Sequence, residues 1–283
     1  MSVIDTHAHL YHSDEIRYPM IPEPSRPDPG IGTIEHLRRN MAAEAVTKVV
    51  LVQTGSAYLW DNSMMADAAI ANAGDMTGVC NLDPRDPRSP EELIRLAADC
   101  NIRGLRLEPG RGMRPAFNNE GSVRLFRTAR EIGVIVCAHL HVELAGELSA
   151  VLEQFPEVPV VLDHSAYLYA KDRPDSERVR TVCNLARYPN LYTKLTFGIT
   201  GSHMDYPFTD THENIRAVIG AFGPDRCMWG SDFPCEHWLK KATYSDHLNM
   251  FRNEIGLSSG ELQSILSDTA GKLWFNQEPG DTI

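Results

Sequence analysis

Short apolar runs rich in β-branched residues recur along the whole sequence. They are SVIDTH (2–7), KVVLVQ (48–53), TGVCNL (77–82), IRGLRL (102–107), VIVCAH (134–139), PVVLDH (159–164), LYTKLT (191–196) and CMWGSD (227–232). A strand with one wet face alternates apolar and polar residues, whereas a strand covered on both faces, as in a parallel sheet, reads as a continuous run. Helical patterns lie between these runs. In TIEHLRRNMAAEAV, Ile34, Leu37, Met41 and Ala45 share one stripe. SPEELIRLAADC reads as a helix opened by a capping box of Ser89 and Glu92, with Pro90 at its first position. SVRLFRTAREIG stops on Gly133. ELAGELSAVLEQF, DSERVRTVCNLARY and THENIRAVIGAFG follow, and SSGELQSILSDTAGKLWF carries a second capping box, Ser258 with Glu261. Eight strands alternating with helices predict an α/β protein, a single-domain (β/α)8 TIM barrel. An open doubly wound sheet is the alternative, but its Gly-rich phosphate-binding turn is missing.

Composition fits this picture. The 283 residues are 42% hydrophobic and 23% charged, and α/β barrels of this length form one domain. The net charge of -11 argues against nucleic acid or an anionic membrane as partner and leaves a small-molecule substrate open. Six scattered cysteines with no CxxC pair read as reduced, buried thiols. No apolar run approaches the roughly 20 residues of a membrane span, and MSVID shows no leader pattern. The expected compartment is the cytosol. A homo-oligomer is left open by the sequence. YPMIPEPSRPDPGIG (18–32) is a Pro-rich loop long enough to act as a lid.

A barrel makes a demand on the strand ends, because active sites sit at the C-terminal ends of the strands. There the sequence places chemistry. Side chains two apart in a strand share a face, so His7 and His9 of DTHAHL project together, and neutral imidazoles are good ligands for zinc-like ions. Strand 5 ends in CAHLH with His139 and His141, strand 6 in LDHSAY with His164, and strand 8 in WGSDFP with Asp232. Any one of these residues alone suits a hydrogen-bonded core position; four strand ends carrying them together predict a shared site.

DTHAHL, LDH and WGSDFP resemble the amidohydrolase superfamily, and more closely its amidohydrolase-2 branch of lactonases and decarboxylases. RYPMIP after the first strand is similar to the lactonase subgroup, and NLYTKLTF to that branch's strand-7 motif; the resemblance spans residues 4 to about 275. It implies one divalent metal, zinc or else manganese, held by His7, His9, His139 and Asp232, with His164 as a ligand, catalytic or oxyanion-stabilising residue. The bridging lysine of binuclear relatives is missing from IRGLRLEP, and some lactonases of the branch work without metal.

The chemistry expected of such a site is ester hydrolysis. A metal activates water and polarises the carbonyl. Asp232 is the expected general base and His164 the oxyanion-stabilising group, with the histidine cluster supplying the field where no metal is bound. Arg106, which shares a face with Glu108, and Lys194, which shares one with Tyr192, are expected to meet an acidic or sugar-like substrate, together with Tyr167 and Arg17. Lys194 has a structural alternative, pairing with Glu108 or Asp163. Arg111 and Arg114 follow strand 4 and read as solvated surface. Tyr18, Tyr206 and Trp238 either shape the mouth or pack; His203 and His237 lie in loops near it; His12, His36, His212 and His247 read as surface residues. The leading expectation is therefore a hydrolase opening a carboxylated or sugar-acid lactone. The alternatives are a metal-dependent decarboxylase of a muconate- or benzoate-type acid, a lactone isomerase, and a barrel that binds without turnover.

Overall fold

The computed structural model describes residues 2–108 and 117–276. Eight strands, β1 (Val3–Ala8), β2 (Val46–Val52), β3 (Met76–Asn81), β4 (Ile102–Leu107), β5 (Ile135–Ala138), β6 (Val160–Leu162), β7 (Leu191–Lys194) and β8 (Cys227–Met228), run parallel in the order of the sequence. This is the (β/α)8 barrel that the apolar runs predict, not an open sheet. β8 is shorter than its run: the ladder to β7 ends at Met228. Closure against β1 continues beyond it, through Thr6 N donating to Trp229 O (3.3 Å), His9 N donating to Phe233 O (2.7 Å) and a parallel bridge between Ala8 and Phe233.

Two apolar layers hold the barrel. Inside, Ile4, Val50, Val52, Val79, Cys137, Val161 and Met228 pack with Trp274 of the Thr269–Phe275 helix. Outside, the other faces of the strands pack on the helices, with Leu37, Leu93, Phe126, Leu148, Val179 and Ile215 all buried. The apolar interior gives way to charged residues toward the C-terminal ends of the strands, and the site is built there.

Most helix signals sit where the sequence puts them. Gly133 closes its helix at φ 73°, and Ser258 with Glu261 forms a capping box. Ser89 is a correction. It is already helical, and its hydroxyl donates to Asp83 O (2.6 Å) instead of capping, because the preceding turn supplies that carbonyl at closer reach. A helix over Ser63–Ala71 lies between β2 and β3 where the pattern predicts none. The cysteines are free thiols, and Cys183 alone among them is not fully buried. Among the described residues no helix is long and apolar enough to cross a membrane. The Pro-rich loop is pinned by Ile21 N donating to Ala57 O (2.8 Å) and Ser25 N donating to Ser56 O (3.1 Å).

Candidate active site

β1 changes register between Asp5 and Ala8, and His7 and His9 both turn toward the barrel axis. Their Nε2 atoms are 3.1 Å apart. Asp232 Oδ1 stands 3.6 Å from His7 Nε2 and 3.7 Å from His9 Nε2. Asp232 reaches this point from a left-handed backbone (φ 55°), a conformation that a non-glycine residue keeps only when its surroundings impose it. Gly230 lets the segment pass, since a Cβ there would stand 2.8 Å from the Cβ of His7. Beneath the three, the buried Asp5 carboxylate accepts from His7 N (3.0 Å), Ser231 N (2.9 Å), Ser231 Oγ (2.6 Å) and Tyr244 Oη (2.9 Å). It ties the first strand to the segment that carries Asp232.

Burial governs protonation here. It holds the His9 imidazole down to about 3, with Arg106 adding to the effect, and holds His7 well below its usual value, reinforced by Lys194. Both rings are neutral. Burial lifts the Asp232 carboxyl to about 7 against the opposing pull of Arg106.

A charged layer lies behind the cluster. Arg106 Nε donates to Asp163 Oδ2 (2.8 Å), and its Nη1 donates to Glu108 Oε2 (2.6 Å). Lys194 Nζ is 3.0 Å from Asp163 Oδ1 and 3.1 Å from His7 Nδ1. For Lys194 the structural alternative is therefore the observed contact, with Asp163 as its partner. Burial opposes ionisation of both carboxylates, but Lys194 and Arg106 hold Asp163 well below the usual range, and Arg106 holds Glu108 near about 2. Gly55 makes room for this layer, since a Cβ there would lie 1.9 Å from Glu108 Oε1.

His164 begins an unusual turn. It and the three residues after it, Ser165, Ala166 and Tyr167, are all left-handed, at φ 53°, 45°, 57° and 58°. Each such L-residue costs about 1–2 kcal/mol. The buried Ser165 hydroxyl anchors the turn by donating to Lys194 O (3.0 Å). The turn brings the His164 ring to 4.8 Å from His7 and 4.6 Å from Tyr167, between ring centroids, and Thr196 Oγ1 lies 2.6 Å from His164 Nδ1. Tyr167 shares a short hydrogen bond with His139 Nε2, and His139 Nδ1 lies 3.2 Å from Glu108 Oε2. His139 is thus on the same rim, 5.9 Å from His164 between ring centroids, but outside the group that His7, His9 and Asp232 form.

The other sequence-predicted residues separate. Arg17 is largely exposed and pairs with Asp67 (2.8 Å), to which Tyr18 also donates (2.7 Å), in an outer groove that includes Leu10 and Met64. Trp238 stands 6.0 Å from His9 between ring centroids, and His237 meets Ser25 Oγ at 3.0 Å. Tyr206 is a surface residue bonded to Glu254, and His203 is exposed. His247 is a correction: it is buried and accepts from Trp229 Nε1 (2.9 Å), because the indole behind β8 needs an acceptor. Arg111 and Arg114 lie outside the described residues. Sequence reasoning missed Asp5, Ser231, Tyr244 and Thr196. Only Asp5 left a signal, being the first member of the alternation Asp5, His7, His9.

Two neutral imidazoles and a carboxylate, with donor atoms all within 4.8 Å of one another, are a donor set that fits a divalent cation.

A family model described as amidohydrolase matches residues 4–275. The 4-sulfomuconolactone hydrolase of Hydrogenophaga intermedia is 22% identical over 281 residues, spanning 95% of this chain and 88% of that protein. A solved structure from Acinetobacter baumannii, described as a "probable 2-pyrone-4,6-dicarboxylic acid hydrolase" with citric acid bound, is similar at TM-score 0.81 and 21% identity, covering 97% of this chain and 99% of that one. An amidohydrolase from Burkholderia multivorans with bound zinc is similar at TM-score 0.78 and 20% identity, again covering 97% and 99%.

Proposed function

The chain belongs to the amidohydrolase family, and from that premise we propose that this hydrolase opens the ring of a small carboxylated or sugar-acid lactone. The observation that carries the reading is the meeting of His7, His9, Asp232 and His164 at one end of a barrel, with a carboxyl poised near neutrality. Similarity to a sulfomuconolactone hydrolase and to a pyrone-dicarboxylic acid hydrolase supports a cyclic ester bearing acidic groups.

Asp232, near about 7, is matched to taking a proton from water as its oxygen adds to the acyl carbon. The acyl oxygen gains the negative charge. His164, whose Nδ1 is engaged by Thr196, turns its other nitrogen to that oxygen as a donor. Collapse breaks the ring C–O bond, and the departing ring oxygen takes the proton that Asp232 had gained. Lactone and water become one hydroxy acid. A divalent cation held by His7, His9 and Asp232, with zinc proposed ahead of manganese and His139 the next imidazole on the rim, would polarise the acyl oxygen and acidify the water. Tyr167 is the proposed substrate contact. Arg106 and Lys194 act from behind, holding Asp163.

A panel of carboxylated and sugar-acid lactones, read by acid release and by NMR of the product, tests the reading. A hydroxy acid is the expected product. An isomeric lactone without acid release replaces hydrolysis by isomerisation. Release of carbon dioxide from benzoate- or muconate-type acids, with every lactone inert, replaces it by decarboxylation.

A further inference from the structure

We propose that Lys194 is a positioning residue that fixes the tautomer of His7 and thereby holds down the cation affinity of the His7–His9–Asp232 site. Donors and acceptors decide it. A backbone carbonyl only accepts, so His9, whose Nδ1 lies 2.9 Å from Val52 O, carries its proton on Nδ1 and turns a bare Nε2 to the site. That is the tautomer a metal ligand needs, held by the backbone partner such ligands commonly have. His7 is held the other way. Lys194 Nζ is paired with Asp163 Oδ1 at 3.0 Å, and an ammonium offers only donors. At 3.1 Å from that ammonium, His7 Nδ1 accepts, so the proton of the neutral ring sits on Nε2. Asp163 Oδ1 stands farther from His7 Nδ1, at 3.6 Å, so the nearer Lys194 donor sets the ring. His7 Nε2–H then donates to His9 Nε2 at 3.1 Å. Every link is satisfied in a single direction, from Lys194 through His7 and His9 to Val52.

This chain places a proton where a cation needs a lone pair. For a cation to bind both imidazoles, that proton must leave His7 Nε2 and the bond between the two rings must break. Replacing Lys194 by Met leaves an unbranched side chain one atom shorter and removes the donor. Asp163, still held by Arg106 through its other oxygen, is then the acceptor facing His7 Nδ1. A proton on Nδ1 leaves Nε2 bare, in the carboxylate–histidine arrangement that raises metal affinity.

The inference rests on His7, His9 and Asp232 being the cation site of the proposed function, and not on the lactone. The test is the zinc affinity of metal-free wild type and Lys194→Met, measured by chelator competition, with His9→Ala as the site control. The Met variant is expected to bind zinc about 10–100-fold more tightly. Equal or weaker binding overturns the proposal. Zinc binding by neither protein, or binding that survives His9→Ala, overturns it together with the cation site, while lactone turnover stands as a separate measurement. Long-range 1H–15N spectra of metal-free wild type provide a readout that needs no variant to fold. A protonated Nε2 and bare Nδ1 on His7 are expected, and the reverse refutes the assignment.

Discussion

Asp232→Asn should separate activity from stability. Burial lifts this carboxyl from 3.8 to about 7, and each tenfold gain in proton affinity is worth about 1.36 kcal/mol, so keeping it ionised in the fold costs about 4 kcal/mol. The sign follows from proton binding. Between about pH 4 and 7 the folded protein keeps a proton that the unfolded chain has released, so stability falls as the pH rises through that window and levels off above it. Linkage places about 3 kcal/mol of this loss between pH 5 and pH 8.5. Asparagine has no such proton. Urea unfolding of chelated wild type and Asp232→Asn at the two pH values should therefore show the variant gaining about 3 kcal/mol relative to wild type at the higher pH. Chelation matters, because a bound cation would favour the ionised carboxylate. The same variant should lose most lactone turnover. A stability difference that is unchanged between pH 5 and pH 8.5 would refute the idea that Asp232 is a desolvated, reluctantly ionised group, and near wild-type turnover would remove it as the base.

Dialysis against a strong chelator should abolish turnover, and added zinc or manganese should restore it; full activity in protein shown metal-free by elemental analysis would assign the whole chemistry to side chains. Thr196→Val removes the hydroxyl 2.6 Å from His164 Nδ1 and should lower kcat about 10–100-fold with little change in melting temperature, so an unchanged kcat would free His164 of that dependence. Gly55→Ala places a methyl 1.9 Å from Glu108 Oε1 and should cost about 1–3 kcal/mol in urea unfolding, while a neutral result would show that Glu108 shifts without losing Arg106.

The barrel was legible because strands covered on both faces leave continuous apolar runs, and each of the eight runs overlaps a strand. The helix over Ser63–Ala71 was not, because its exposed face carries Ile70 and Ala71 beside the polar Ser63 and Asp67, so apolar residues lie on both faces and blur the period. At the site, the period of two exposed His7 and His9, and the strand-end rule exposed His164 and Asp232. Partner choice was hidden. For Lys194 the sequence offered Glu108 or Asp163, and only the closed barrel chooses Asp163; nothing local says that Thr196 meets His164 or that His247 is buried against Trp229, residues brought together only when the barrel closes. The left-handed turn at His164 was hidden for the same reason, since its cost is offset by bonds from elsewhere, such as that of Ser165 to Lys194.

The carboxylate of Asp5 gives the seam of the barrel a history. Its partners on Ser231 lie 226 positions later in the chain. At ribosomal speeds of about 5–20 residues per second, roughly 10–45 s separate the synthesis of the two sides. Through that interval the two histidines of the first strand are already made and their acidic partner is not, so a nascent chain holds half of its active centre open until its last strand emerges.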